Sequence, residues 1–194
     1  KVRNVGCCNF GARNLKQGIA DGAGFVSNQL PYSLLWRAIE AHILPECAQQ
    51  KVAVLAYSPL SNGLLSGKYR SARDVPAGRT TTRLFSGTRP NSRHGEAGLE
   101  SEAFGTIAAL RGIGERAAIP LLTLAIAWLL NRPNVASVLV GARTPRQLED
   151  LIKAAEIKLP AGVETELTRA TDALKRRIGN NADLWEGTEK SRIV

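Results

Sequence analysis

The sequence predicts an α/β protein built on a parallel sheet, and three observations lead to this class. Four short apolar segments with strand character alternate with helical segments along the chain. The clearest strand, at residues 51–57, contains an unbroken apolar run, which is typical of parallel strands buried on both faces. With 44% hydrophobic and 22% charged residues, the chain supports a substantial core, which excludes general disorder. Two architectures fit, a small doubly wound sheet and part of a (β/α)₈ barrel.

Four strands are expected, each bounded by residues that interrupt regular structure. They lie at residues 2–5, 25–29, 51–57 and 135–140. The first strand ends at Gly6, and the second follows Gly24. Pro59 stops the third strand, and the fourth begins after Pro133. If these strands formed an open half of a barrel, both outer edges would need a covering element.

Six helices are expected between and after the strands. They lie at residues 13–20, 33–50, 102–118, 122–130, 144–158 and 163–177. The longest rests on an apolar face whose members recur every four residues, namely Leu35, Ile39, Ile43 and Cys47. The polar residues from 179 onward are expected to form a loose tail. The chain therefore divides into a domain at 1–178 and a tail at 179–194.

The positive charge is concentrated in one predicted loop. The net charge is +9, and residues 70–93 contain six arginines and one acidic residue, which supply +5 of it. A loop of this length favours either a solvated surface or a site for a small anionic ligand. Nucleic acid is disfavoured as a partner, because only 5% of the residues are aromatic and can stack on bases. No apolar run approaches the roughly 20 residues that span a bilayer, so no membrane is expected as a partner.

The three cysteines and two histidines indicate neither a disulfide framework nor a metal site. An odd number of cysteines, with two adjacent, favours a reducing, cytoplasmic setting. No Cys-x-x-Cys or His-x-x-x-His spacing occurs, so no metal is expected. The sequence contains no methionine and begins at Lys1, which suggests that its natural beginning is missing.

The strongest local motif is a strand followed by a glycine turn and a capped helix at residues 140–147. Gly141 permits the turn, Thr144 can cap the helix, and Gln147 completes a capping box. Together with Arg143, this arrangement suits a phosphate group at a helix N-terminus. An ordinary capped helix with a surface arginine fits the motif equally well.

Further candidates follow the other strands. Tyr57, at the end of the third strand, can present its ring to a flat ligand, and Asn9 and Gln29 leave the first two strands. Functional residues of parallel sheets gather at these carboxyl ends, and an amide side chain suits a carboxamide ligand. Each of the three also has an ordinary structural explanation as a loop or core residue.

Four segments, in this order, resemble the aldo-keto reductase family. They are Gly6-Cys-Cys-Asn-Phe10, Asn28-Gln29 with the following Tyr32 to Glu40, Ala56 to Tyr69, and Gly141 to Glu149. The resemblance extends to about Pro160 and implies a (β/α)₈ barrel of NADPH-dependent carbonyl reductases. It implies that this chain is the C-terminal half of such a barrel, with four parallel strands and flanking helices.

The resemblance also implies roles for individual residues in binding NADP(H). Asn9 and Gln29 would hold the nicotinamide carboxamide, and Tyr57 would stack on the ring. The pyrophosphate would follow Ser58, Pro59, Leu60, Ser61, Asn62 and Lys68. The adenosine 2′-phosphate end would be held by Gly141, Arg143, Gln147 and Asp150, with Arg83 of the basic loop holding the cofactor down. Cys8 and Leu151 depart from the Ser and Asn usual in the family, which implies weaker cofactor binding.

Catalysis is expected to need another part of the protein. The family's catalytic Asp, Tyr, Lys and His come from the N-terminal half of the barrel, which precedes the point where this sequence begins. The implied parent enzyme reduces aldehydes or ketones to alcohols. The alternative is a non-catalytic half barrel that self-associates and retains NADPH binding. In either case the open sheet edges would be covered, by the N-terminal half or by a second copy.

Overall fold

The computed structural model describes residues 1–193, which form one sheet flanked by helices. The strands are β1 (Val5–Cys8), β2 (Phe25–Pro31), β3 (Ala53–Tyr57) and β4 (Val135–Val138). The helices are α1 (Ala12–Ala20), α2 (Ile43–Gln49), α3 (Glu100–Ala117), α4 (Leu121–Leu130), α5 (Pro145–Glu156) and α6 (Ala161–Ile178). All neighbouring strands are parallel, which confirms the predicted class.

The strand order follows the chain order, β1-β2-β3-β4. A doubly wound sheet reverses its strand order at a switch point, so this order is that of a barrel segment. In the register, Cys8 lies opposite Gln29, and Pro31 lies opposite Tyr57. The residues that follow the first three strands therefore meet at the carboxyl end of the sheet.

The core lies between the sheet and the helices. Helix α4 is apolar around nearly its whole circumference and is buried from Leu124 to Leu129. Helix α3 ends at Ala117, and the next residue, Ala118, turns the chain with a φ of 54°. Helices α3 and α4 are bent by 94° relative to each other. Within the described residues, neither helix alone is long and apolar enough to cross a membrane, although the bent pair meets that test by length and composition together.

The prediction of one long helix at 33–50 is wrong, although the apolar residues on which it rested are buried. A bridge between Ser33 and Trp36 turns the chain, a 3₁₀ turn follows at Ala38–Glu40, and α2 begins only at Ile43. The side chain of Arg37 explains the interruption. Its guanidinium donates to both carboxylate oxygens of Glu40 and to three oxygens of α6, at 2.8 Å each. These distant partners outweigh the local preference for a helix.

Two further expectations differ from the structure. Strand β1 begins at Val5 rather than residue 2, so only one predicted residue is in the strand. The expected loose tail is packed, since Ala182, Leu184 and Ile193 are buried. Its main chain is held by distant donors, which local composition does not reveal; residue 194 lies outside the described part.

The outer strands β1 and β4 leave two open edges, and exposed apolar side chains gather there. Eight large hydrophobic side chains of the described residues are more than a third exposed. Val2 and Val5 lie in or just before β1, and Val26 is in the neighbouring β2. Leu130 precedes β4, Leu139 and Val140 follow it, and Leu148 and Ile152 are on α5. Such patches at unpaired parallel edges indicate surfaces that another element covers.

Candidate functional site

A cavity of about 370 Å³ lies where β3 and β4 end, against the first turn of α5. Its size is in the range of small-molecule sites. Eight of the predicted cofactor residues line it: Ser58, Pro59, Leu60, Asn62, Lys68, Gly141, Arg143 and Gln147. It is also lined by Gly63, Ser66, Arg79, Leu122, Leu139, Val140 and Leu151. The fold thus brings residues 58–68, which follow β3, together with residues 139–151, which follow β4 and begin α5.

The cavity is basic. Lys68, Arg79 and Arg143 line it, and no carboxylate is among its described lining residues. The guanidinium of Arg79 donates to the carbonyl oxygen of Asn62 at 3.3 Å and to the hydroxyl of Tyr69 at 3.4 Å. The Lys68 ammonium lies 4.7 Å from the centroid of the same tyrosine ring. Three cations without a counter-charge make the cavity receptive to an anion.

The wall formed after β3 is a loop with unusual backbone conformations. Between Ser58 and Lys68, five residues have positive φ, namely Ser58, Ser61, Asn62, Gly63 and Gly67. A side chain at Gly63 would place its Cβ 3.0 Å from the guanidinium of Arg79, so this glycine gives the arginine room. Ser61 is buried and its hydroxyl lies 2.8 Å from that of Ser33. It therefore anchors the loop rather than lining the cavity.

The opposite wall is the beginning of α5, and its cap is close to the predicted one. Thr144 Oγ1 accepts a hydrogen bond from the N–H of Gln147 at 3.3 Å, and Pro145 is the first helical residue. The Gln147 side-chain oxygen accepts from the N–H of Arg143 at 2.9 Å, rather than from Thr144 as a capping box requires. This bond fixes the main chain of Arg143 beside the positive end of the helix.

Asn9, Gln29 and Tyr57 form a second group beyond the cavity. Asn9 follows β1 and Tyr57 ends β3, whereas Gln29 lies inside β2, which continues to Pro31 rather than ending at residue 29. The Tyr57 hydroxyl donates to Asn9 Oδ1 at 2.9 Å, and the N–H of Asn9 donates to the carbonyl of Gln29 at 2.9 Å. Burial raises the pKa of Tyr57, and the nearby Cys8 and Asp183 raise it further. The phenol therefore stays protonated and bound to Asn9.

Trp185, which the sequence analysis missed, lies against this second group. Its indole is nearly parallel to the ring of Tyr57, with an interplanar angle of 8° and 6.1 Å between the ring centroids. The pattern of residues around Trp185 contains no signal for this contact, because the tail is polar and distant in sequence.

Arg83 and Asp150, the remaining predicted cofactor residues, do not line the cavity. Arg83 is buried and donates to the carbonyl oxygens of Asn181 and Asp183 at 3.0 Å, and to the carboxylate of Glu96 at 3.0 Å. Its charge is therefore used to hold the tail. Asp150 is exposed on α5. Their roles toward a cofactor stay predictions, and Arg79 is the basic-loop residue that reaches the cavity.

The cysteines are free thiols in different surroundings. Cys8 is exposed and Cys47 is buried, whereas Cys7 is half-buried. Burial, with a smaller effect of Cys47, raises the pKa of Cys7 to about 11. Across residues 1–193, no three or more His, Cys, Asp or Glu side chains are grouped as metal ligands would be.

Sequence comparisons identify relatives over most of the chain. The profile of the aldo/keto reductase family matches residues 1–171. An uncharacterized oxidoreductase of Bacillus subtilis, YrpG, is 34% identical over 164 residues, which are 82% of this chain and 46% of that protein. An NADH-specific methylglyoxal reductase of Escherichia coli is 29% identical over 176 residues, which are 91% of this chain and 51% of that protein.

A structural comparison agrees with the sequence matches. The crystal structure of a thermostable aldo-keto reductase superposes with a TM-score of 0.61 and 25% sequence identity, covering 87% of this chain and 48% of that one. The match confirms the half-barrel fold. This chain spans about half the length of the curated relatives that it matches.

Proposed function

The chain belongs to the aldo/keto reductase family, and we propose that it forms the NADP(H)-binding half of an enzyme that reduces aldehydes or ketones to alcohols. The observation that carries this proposal is the basic cavity at the start of α5. Three cations face it, no carboxylate is among its described lining residues, and a helix N-terminus forms one wall. This donor set suits the phosphate groups of a dinucleotide.

The residues that line the basic cavity suit the phosphate and adenine parts of the cofactor, and Tyr57 is the candidate for its nicotinamide end. Lys68 and Arg79 would bind the pyrophosphate, and Arg143 would bind the 2′-phosphate. The apolar side chains of Leu122 and Leu151 would lie against the adenine. Tyr57 would face the nicotinamide, which when bound supplies the hydride for reduction of a carbonyl group.

The preference for NADP(H) over NAD(H) rests on Arg143. A guanidinium matches a phosphate with two parallel hydrogen bonds, whereas NAD(H) has no phosphate at that position. The relative from Escherichia coli is described as NADH-specific, so membership of the family does not determine the cofactor. The free guanidinium beside the helix start favours NADP(H) in this chain.

The proton for the reaction would come from elsewhere in the barrel. The Tyr57 hydroxyl donates a hydrogen bond to Asn9 Oδ1, and the raised pKa of the phenol makes it a poor acid. The substrate carbonyl would be polarised by the N-terminal half, whose strands would also pair with β1 and β4. The exposed apolar residues at both edges support such a partner.

The second candidate is a self-associated half barrel that binds NADP(H) without catalysis. The same two open edges favour it, because two copies related by a twofold axis would bring β1 of one copy beside β4 of the other.

Native mass spectrometry with NADP⁺ separates these candidates. We expect each 20.9 kDa chain to retain one cofactor molecule. A heterodimer with the N-terminal half, or a longer intact chain, supports the reductase, and carbonyl-dependent oxidation of NADPH should accompany it. Homodimers that bind NADP⁺ without this activity support the second candidate. A chain that retains no NADP⁺ under these conditions contradicts both.

A further inference from the structure

The stacking of Trp185 on Tyr57 affects the site in which the nicotinamide is proposed to bind. The two rings lie within 8° of parallel and their centroids are 6.1 Å apart. Trp185 is only half-buried, so its side chain has room to move away. Parallel displaced aromatic rings attract each other, which gives this contact a favourable energy.

The tail positions Trp185 through its main chain. The indole N–H of Trp36 donates to a tail carbonyl oxygen at 2.9 Å, and Arg83 donates to two others at 3.0 Å. The N–H of Trp185 donates to the carboxylate of Asp183 at 3.0 Å. None of these bonds uses the indole of Trp185. Substitution of Trp185 therefore removes a ring from Tyr57 and leaves these hydrogen bonds of the segment in place.

A third ring does not fit between the two aromatic side chains. An inserted nicotinamide would need about 7 Å between the planes, because each ring contact takes about 3.5 Å. The centroids of Tyr57 and Trp185 are closer than this. The Oδ1 atom of Asn9, which would accept from the carboxamide, also accepts from Tyr57. Trp185 thus occupies one face of Tyr57, and Asn9 Oδ1 already has one donor.

We propose that Trp185 competes with the nicotinamide for one face of Tyr57, so that the cofactor displaces the indole when it binds. Trp185 then lowers the affinity of the nicotinamide end of the cofactor. This inference rests on the proposed function, which assigns the nicotinamide to Tyr57. The phosphate end is independent of the competition, because neither Tyr57 nor Trp185 lines the basic cavity.

The test compares two ligands that differ in the nicotinamide end. Isothermal titration of Trp185→Ala with NADP⁺ should show binding roughly three- to tenfold tighter than in the unmodified chain, the gain expected from losing one aromatic contact. Binding of 2′,5′-ADP, which has no nicotinamide, should change by less than about twofold. Trp185→Phe keeps a ring and should lie between the two. Glu189→Ala, at an exposed position of the same tail, is the matched control.

The possible outcomes separate this inference from the proposed function. If 2′,5′-ADP binds and Trp185→Ala leaves NADP⁺ affinity unchanged or weakens it, the competition is refuted and the cofactor site stands. Weaker binding of NADP⁺ alone would mean that Trp185 supports Tyr57 from the opposite face. If neither ligand binds the unmodified chain, the proposed cofactor site fails, and the competition fails with it.

Discussion

Arg143→Ala should weaken binding of NADP⁺ much more than binding of NAD⁺. The guanidinium lies at the basic cavity, and among residues 1–193 it has no hydrogen-bond or ion-pair partner that a ligand would have to displace. A charge-assisted hydrogen bond contributes about 1.5–3 kcal/mol. Because Arg143 is exposed and solvent screens its charge, we expect the lower end of this range. This corresponds to roughly tenfold weaker binding of NADP⁺.

The structure offers a matched control for this substitution. The alanine variant keeps the main-chain bond from residue 143 to Gln147, so the helix start should be preserved. Arg146→Ala removes the same charge one turn away, at an exposed residue that does not line the cavity. Isothermal titration at fixed ionic strength, with NADP⁺ and NAD⁺, measures both variants. Equal losses for the two cofactors, or an equal loss of NADP⁺ binding in Arg146→Ala, would refute the assignment of Arg143 to the 2′-phosphate.

Two further predictions concern stability and thiol reactivity. Arg37→Leu should lower the free energy of unfolding in urea by about 3 kcal/mol, because it removes the five hydrogen bonds that a buried guanidinium makes to Glu40 and α6. Arg176→Ala, at an exposed position, should change it by less than about 0.5 kcal/mol. Similar effects of the two variants would contradict the role of Arg37. At pH 8, iodoacetamide should modify the exposed Cys8 before Cys7. The raised pKa of Cys7, about 11, means that its thiolate fraction and alkylation rate should keep rising toward that pH. Mass spectrometry of the peptides measures both rates, and equal rates at pH 8 would contradict the assignment.

Local sequence patterns were sufficient for the parallel sheet and for the two walls of the cavity. The strand at β3 is an apolar run next to a proline, and the α5 motif combines a glycine turn, a cap and an arginine. Each of these patterns depends on residues that are close together in the sequence, so the folded chain has the structures that they predict. One predicted hydrogen bond of the α5 cap differs, because the Gln147 side chain accepts from the N–H of Arg143 rather than from that of Thr144.

The parts that sequence reasoning missed depend on contacts between distant residues. The expected helix at 33–50 is interrupted where Arg37 bonds to α6, more than a hundred residues away. The tail is packed because Trp36 and Arg83 hold its carbonyl oxygens. Local periodicity carries no information about either contact.

The basic loop shows the same limit for the site. Arg79 and Arg83 are four residues apart, and both have hydroxyl-bearing neighbours in the sequence. The structure directs Arg79 into the cavity and Arg83 to the tail and Glu96. The arginine-rich composition therefore indicates an anionic ligand without identifying which arginine would bind it.

The central claim is that this half of a barrel contains a dinucleotide site that prefers NADP(H). Isothermal titration of the 194-residue chain with NADP⁺ and, separately, with NAD⁺ tests it most directly. We expect one site per chain and at least about tenfold tighter binding of NADP⁺ than of NAD⁺, from the contacts of the 2′-phosphate with Arg143. Binding of NAD⁺ as tight as that of NADP⁺, or the absence of any binding, would contradict it.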